Sequence, residues 1–454
     1  MMKTLRSLSQ GKILNWPNLL LVLSGIASVV LYRIGLRAKD AQDVNWLIAL
    51  ALCQGWLYIC AAWIVWRARS NRSTLIIVLV FACLFRLSLL FAPPYLSDDI
   101  YRYIWDGRVQ AAGINPYRYI PADKALEPLR DEAIYPKINR KDFAPTIYPP
   151  LAQVIYFLVT RVSESVWWMK AALVGFEALA VWALISLLAS FNLPRERVLI
   201  YAWHPLLVWE VAGSGHVDAA AIAFIALALL ARRKEMEAAT GFALACAVLI
   251  KLFPVVLFPA LYKRWNWKMP VVFVSTIVIA YLPYLNVGLR AVLGYLPGYT
   301  VEEGIQNGAR FYLLSLVRRS LGEQHVPSKF YFFAAALLLL CLAIWCLWKE
   351  ERHEASFISR AFLLAGAFTL LLSPHFPWYF AWLVPFMCWM PLIPFFYLTT
   401  VSFVFYRLWF NEWQQLFSVN TLVYLPFFIL GALMLLTRFA DKKQVKEEAD
   451  AAST

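Results

Sequence analysis

The chain has 454 residues, of which 61% are hydrophobic and only 15% charged. A soluble protein carries roughly 45–50% apolar and about 25% charged residues, so soluble multidomain, disordered and collagenous classes are excluded. The apolar residues fall in runs of about 20, the length of a bilayer span, and predict an all-α, polytopic membrane protein. Lys and Arg number 42 against 28 Asp and Glu, a net charge of +14. Such an excess can mark nucleic-acid binding, but membrane proteins concentrate Lys and Arg in cytoplasmic loops, and no nucleic-acid partner is expected. The seven cysteines lie singly in apolar segments without CxxC spacing, which argues against a disulfide framework or a thiolate metal site.

Residues 1–94 read as N-terminal membrane spans. Lys3, Arg6 and Lys12 precede an apolar stretch opening at Asn18, the pattern of a signal anchor with a cytoplasmic N-terminus. A second span near 45–66 ends at Arg67, Arg69 and Arg72, again a cytoplasmic signature. A third, near 74–94, must then emerge on the outer face. Residues 95–150 form the longest polar interruption and balance eight acids against eight bases, so they are expected outside. Ser97-Asp98-Asp99 can open a helix, with Ser as cap and acids in the first turn. Gly113 and Pro116 can close it, and its aromatics suggest a helix lying on the outer membrane surface.

Residues 151–437 read as a membrane helical domain. Its apolar segments lie near 151–163, 167–190, 198–212, 217–231, 240–262, 269–286, 329–348, 361–376, 378–410 and 420–437. With the first three spans this gives about a dozen membrane segments or slightly more. Residues 151–163 and 240–262 could instead be re-entrant, and Arg264 and Lys268 put the chain inside before 269. The charged tail 438–454 is expected to be disordered and cytoplasmic.

The external loop opens Tyr95-Leu-Ser-Asp98-Asp99-Ile-Tyr101-Arg102-Tyr103-Ile-Trp105-Asp106-Gly107-Arg108. On a helix, Asp98, Arg102 and Trp105 share one stripe, and Asp99, Tyr103 and Asp106 another. Carboxylates, cations and rings converging beside a membrane suit sugar transfer: a carboxylate takes a hydroxyl proton, cations hold phosphate, and rings stack on sugar. The competing reading is an interfacial helix whose acids merely favour its N-terminus.

These residues carry a resemblance. The di-acid after an early span, Tyr-x-Tyr-x-Trp-Asp-Gly-Arg, Gly113-x-Asn115-Pro116-Tyr117 and Tyr148-Pro149-Pro150-Leu151 resemble the first external loop of GT-C glycosyltransferases. The resemblance points to bacterial family-87-like proteins related to polyprenyl-phosphate-mannose-dependent mannosyltransferases. It extends into Gly215-His216-x-Asp218, Lys251-Leu-Phe-Pro254 and His375-Phe-Pro377-Trp378-Tyr379. In that family the acidic loop often follows the first span; here it follows the third, as an added N-terminal hairpin would explain.

The resemblance implies an inverting, metal-independent hexosyltransferase, with mannose the expected sugar. The donor would be a polyprenyl-phosphate sugar, the acceptor lipid-linked or a glycan, and no cofactor would be needed. The site would face outward from the bacterial inner membrane. Asp98 and Asp99 are the candidate catalytic residues, with Asp98 favoured as the base. Arg86, Arg102 and Lys251 are candidates for the donor phosphate, although Arg86 and Lys251 could equally snorkel. Tyr101, Trp105, Arg108, Tyr148, His216, Asp218, His375, Trp378 and Tyr379 are candidates for substrate contact. His216 and Asp218 are ligating residue types, but no second histidine stands at HxxxH spacing, so no metal is expected. The alternative function is a polyprenyl-lipid or sugar flippase, which should place its charges along a mid-membrane path rather than in a surface loop.

Overall fold

The computed structural model describes residues 15–37, 44–67, 71–308, 310–322, 326–349, 353, 355–410 and 413–452. Among these, all regular structure is helical. Lys3, Arg6, Lys12 and Arg69, on which the orientation argument partly rests, lie outside the described residues.

Seven described helices are long and apolar enough to cross a membrane, and four shorter apolar helices accompany them. The chain is therefore a polytopic, helical membrane protein. We number the helices used below as α1 Trp16–Gly35, α2 Val44–Arg67, α3 Arg72–Leu90, α4 Asp99–Ala111, α5 Pro150–Thr160, α6 Val166–Ser190, α7 Asp218–Arg233 and α8 Glu237–Val248. They continue with α9 Lys268–Tyr281, α10 Leu296–Glu302, α11 Ser328–Trp348, α12 Ser356–Leu372, α13 Ile393–Val401 and α14 Leu416–Ala452. Helix α1 packs on both α2 and α3, while α6, α7, α8 and α9 pack each on the next. Asn15 and Asn71 start α1 and α3 by accepting the backbone N–H of Asn18 and Ser73 at 3.0 and 3.1 Å, the capping that satisfies orphan donors.

Three apolar segments that look continuous in sequence are broken. Residues 198–212 divide at His204-Pro205 and end in a π-helical turn, Val208–Gly213. The stretch 240–262 stops at Val248, and Lys251 sits in the gap before a 3₁₀ turn, Phe253–Leu257. The stretch 378–410 opens with a 3₁₀ run, Pro377–Leu383, before α13. Proline removes a ladder donor and clashes with the preceding turn, and each break has one nearby. The tail differs from expectation in the opposite direction: α14 continues to Ala452. Ala, Lys, Glu and Gln dominate residues 440–452, and good helix formers extend a helix already nucleated.

Loop 95–150 is not a surface layer. Helix α4 lies against α5, and Ile100, Tyr103, Ile104, Trp105 and Val109 share a buried core with Tyr148, Tyr156, Met169 and Leu173. Segments 124–138 close over its other side, through Leu126, Ile134 and Ile138, so the amphipathic pattern marks burial rather than an open membrane surface. Gly107 permits the close approach: a Cβ there would stand 2.4 Å from Thr160 Oγ1 and 2.6 Å from the Tyr156 carbonyl oxygen.

Candidate active site

The di-acid sits where α4 begins. Ser97 Oγ accepts the Asp99 backbone N–H at 3.2 Å, and the helix starts at Asp99, with Asp98 in the flanking position. Asn139, brought back by the loop, donates to Asp98 Oδ1 at 2.9 Å and to Asp99 Oδ1 at 2.6 Å. One amide thus ties the two carboxylates together. Burial, and then the charge of Asp99, push the Asp98 carboxyl above the usual aspartate range. Asp99, not Asp98, lines a cleft with Arg102, Asn139, Arg140, Ile147, Tyr148, Tyr295 and Tyr299.

The Tyr148-Pro149-Pro150 motif positions the opposite wall. Pro150 opens α5, and the N–H groups of Leu151 and Ala152 donate to the Leu249 carbonyl at 3.0 and 3.2 Å. That bond fixes the end of α8 against the start of α5, and Lys251 follows two residues later. The result is a compact polar cluster. Tyr148 Oη donates to Asp99 Oδ2 at 3.1 Å. Lys251 Nζ lies 3.2 Å from Asp218 Oδ2 and over the rings of Tyr148 and Tyr379, at 5.9 and 5.7 Å.

His216 is buried beneath this cluster, its ring stacked on Trp378 with centroids 4.3 Å apart. Its Nδ1 stands 3.9 Å from Asp99 Oδ2 and its Nε2 3.3 Å from Glu210 Oε2. The π-helical turn makes this possible, because His216 N donates to the Glu210 carbonyl at 2.9 Å across the sharp return of the chain. Gly215 supplies that return at φ +80°, and a Cβ there would stand 2.4 Å from Ile100 Cδ1. Glu210 Oε1 accepts from Tyr406 Oη at 2.6 Å.

A second strap, residues 288–308, covers the cleft. Tyr295 N donates to the Thr146 carbonyl at 3.0 Å, and Arg140 pairs with Glu302 at 2.8 Å. Tyr299 and Tyr379 are hydrogen-bonded through their hydroxyls. Beside them Glu303 Oε2 lies 3.7 Å from His375 Nε2, which is 3.3 Å from Arg310 Nη1. Burial pushes the Glu303 carboxyl upward against the pull of Tyr299, Arg310 and Arg140.

The structure gathers Asp98, Asp99, Tyr148, His216, Asp218, Lys251, Trp378 and Tyr379 into one cluster, with His375 at its flank. Arg102 borders the cleft, but its Nε is bound by Asp106 at 2.8 Å and its Nη1 by the Ala144 carbonyl at 3.1 Å. Asp106 in turn accepts from Thr146 and Gln153 at 2.5 and 3.0 Å, so this pair ties the floor of the loop together.

Four candidates are engaged elsewhere. Arg86 forms a buried two-pronged pair with Glu177, at 2.8 and 3.1 Å, and donates to the Ala82 and Ala202 carbonyls. An intramembrane charge needs such a partner, and Glu177 on α6 supplies it. Trp105 is 1% exposed and packs on Tyr135 at 5.6 Å, which leaves no face for a sugar. Arg108 joins Asp131, Glu164 and the Leu129 carbonyl at 2.7–3.0 Å and so clamps the loop. Tyr101 lies under Lys137 at 5.1 Å.

Asn139, Arg140, Glu210, Tyr299, Glu303 and Arg310 were not singled out for a role from sequence. An acid inside an apolar run, as Glu210 is, carries a readable signal. Asn139 has none, because it acts through a long-range return of an irregular loop.

The architecture is that of an integral-membrane, helical protein with a buried acidic cleft. The model of the alpha-(1->6)-mannopyranosyltransferase family, N-terminal domain, matches residues 22–267, more than half of the chain, and the chain belongs to that family. It is thus a membrane mannosyltransferase, as the motifs imply. The matched stretch contains Asp98, Asp99, Tyr148, His216, Asp218 and Lys251; His375, Trp378 and Tyr379 lie beyond it. No curated protein matches the chain. No solved structure matches it.

Proposed function

We propose that the protein transfers mannose from a polyprenyl-phosphate mannose to a lipid-linked or glycan acceptor, with inversion and without a metal, at the outer face of a bacterial inner membrane. The observation that carries this reading is the cleft in which an accessible carboxylate, Asp99, faces Arg140 and Tyr148, with Lys251 behind the tyrosine ring. A phosphate leaves readily, so one general base suffices. Asp99 takes the acceptor hydroxyl proton while that oxygen attacks the anomeric carbon opposite the phosphate. The bond from the anomeric carbon to the phosphate oxygen breaks, and the electron pair departs with the phosphate. Lys251 and Arg140 offset its charge. Asp98, tied to Asp99 through Asn139, holds the base in place, a ranking that reverses the order favoured by the motif alone. Inversion of a β-linked donor yields the α linkage carried in the family description.

The test is transfer by purified protein in liposomes, comparing radiolabelled polyprenyl-phosphate mannose with a nucleotide-activated mannose, with and without EDTA. Labelled product from the lipid donor alone, unchanged by EDTA, is expected. Product from the nucleotide donor alone refutes the donor assignment, and loss of product in EDTA refutes metal independence.

A further inference from the structure

Asp99, His216, Glu210 and Tyr406 form a line running from the cleft into the helical core. The steps are 3.9 Å from Asp99 Oδ2 to His216 Nδ1, 3.3 Å from His216 Nε2 to Glu210 Oε2, and 2.6 Å from Glu210 Oε1 to Tyr406 Oη. Neither ring nitrogen of His216 nor Glu210 Oε2 completes a hydrogen bond, although His216 is 0% and Glu210 1% exposed. Buried polar atoms normally have partners, and unsatisfied ones in a native structure call for an explanation. Packing on Trp378 fixes the ring plane, and the π-helical turn fixes Glu210. π-Helical turns of this kind are frequent at functional sites.

We infer that His216, held by Glu210, is a positioning residue that receives the acceptor proton through Asp99. The inference rests on the proposed role of Asp99 as base. As the acceptor oxygen attacks, its proton moves to Asp99 Oδ2, and the proton then shared by Asp99 passes to His216 Nδ1. The imidazole becomes imidazolium, and Asp99 returns to carboxylate, whose charge 3.9 Å away offsets that of the ring. After the products leave, His216 returns the proton to solvent by way of Asp99. Burial disfavours the imidazolium, and the charges of Asp99 and Asp218 oppose that penalty, so the ring takes the proton only while those carboxylates stand beside it. Facing the ring are Asp99 from α4, Glu210 from the π-helical turn, Asp218 from α7, Lys251 after α8, and Trp378. Asp218 and Lys251 are paired at 3.2 Å, so their charges oppose one another at the ring.

The experiment measures kcat and donor KM against pH for the wild type, His216→Asn, Glu210→Gln and Tyr406→Phe in liposomes. Glu210→Gln, nearly isosteric, keeps the test decisive where His216→Asn fails to fold. The expected result is a roughly 10- to 100-fold loss of kcat in His216→Asn, smaller than the roughly 10²–10⁴-fold of a directly acting general base, because Asp99 remains in place. The acid limb of the kcat profile should move by at least about one pH unit, with donor KM unchanged. Glu210→Gln should shift the limb in the same direction by less, and Tyr406→Phe by less again. Profiles displaced downward without any shift of the acid limb mean that His216 only fills space, and the inference is overturned. Absence of transfer by the wild type from any polyprenyl-phosphate sugar would instead strike the proposed function, which separates the two failures.

Discussion

Replacing Asp99 with Asn removes the proposed base while nearly preserving volume. In the wild type, Asp99 accepts from Asn139 at 2.6 Å and from Tyr148 at 3.1 Å. The carboxamide oxygen can keep one of these bonds, but its NH₂ then faces a donor and the other is lost, at a cost of about 1 kcal/mol. Loss of a positioned base costs about 10²–10⁴-fold in rate, or about 2.7–5.4 kcal/mol at 1.36 per tenfold. The chemical loss therefore exceeds the structural one, and Asp99→Asn should fold, bind donor and turn over at least about 100-fold more slowly. Asp98→Asn leaves the cleft carboxylate in place and should retain a substantial fraction of activity. Single-turnover transfer in liposomes, with donor binding measured separately on the same preparations, gives both numbers. If Asp98→Asn proves the inactive variant while Asp99→Asn keeps near-normal turnover, the base is Asp98 and the ranking drawn from the cleft is wrong. Near-normal turnover of both variants and of the double variant would remove this loop from the chemistry.

Arg86→Gln strands Glu177 without its partner and should cost about 3–5 kcal/mol of stability, seen as a lower melting temperature in detergent, while donor KM per folded molecule stays unchanged. Lys251→Gln should show the converse, a several-fold rise in donor KM, because Lys251 Nζ lies over the ring of Tyr148, which lines the cleft; equal donor KM values for Lys251→Gln and wild type would take it out of the phosphate site. Asp98 has a raised carboxyl pKa from burial and from Asp99, so it penalises the folded state little below the unfolded pKa of about 3.9 and increasingly as pH rises through its folded value. Asp98→Asn should accordingly raise the melting temperature at pH 7 more than at pH 4, and an equal shift at both would refute this. A cysteine at exposed Lys124, in a cysteine-free background, should react with an impermeant thiol reagent in intact spheroplasts; labelling only after the membrane is opened would place loop 95–150 inside.

The sequence by itself determined the class of molecule and pointed to residues that line or border the acidic cleft. Apolar runs of span length can satisfy their backbone in a bilayer only as helices, so the helical membrane fold follows from composition and run length. The Asp98-Asp99 pair, the glycine-proline punctuation after α4 and the Tyr148-Pro149-Pro150 motif were legible because their physics is local: caps, turns and helix starts depend on adjacent residues. What each charged side chain does was decided only by the tertiary structure. Arg86 and Lys251 look alike in sequence, each a cation inside an apolar run. Arg86 meets Glu177, 91 residues away along the chain, whereas the broken end of α8 turns Lys251 toward Asp218 and the ring of Tyr148. Trp105 and Arg108 sit in the motif yet serve the loop, because segments 124–138 and Glu164 close over them. The choice between Asp98 and Asp99 depends on where Asn139, Tyr148 and His216 arrive, from 40, 49 and 117 residues further along. Burial and opposite charge act through space over a few ångströms, and the spacing of residues along the chain does not record which distant groups will stand that close.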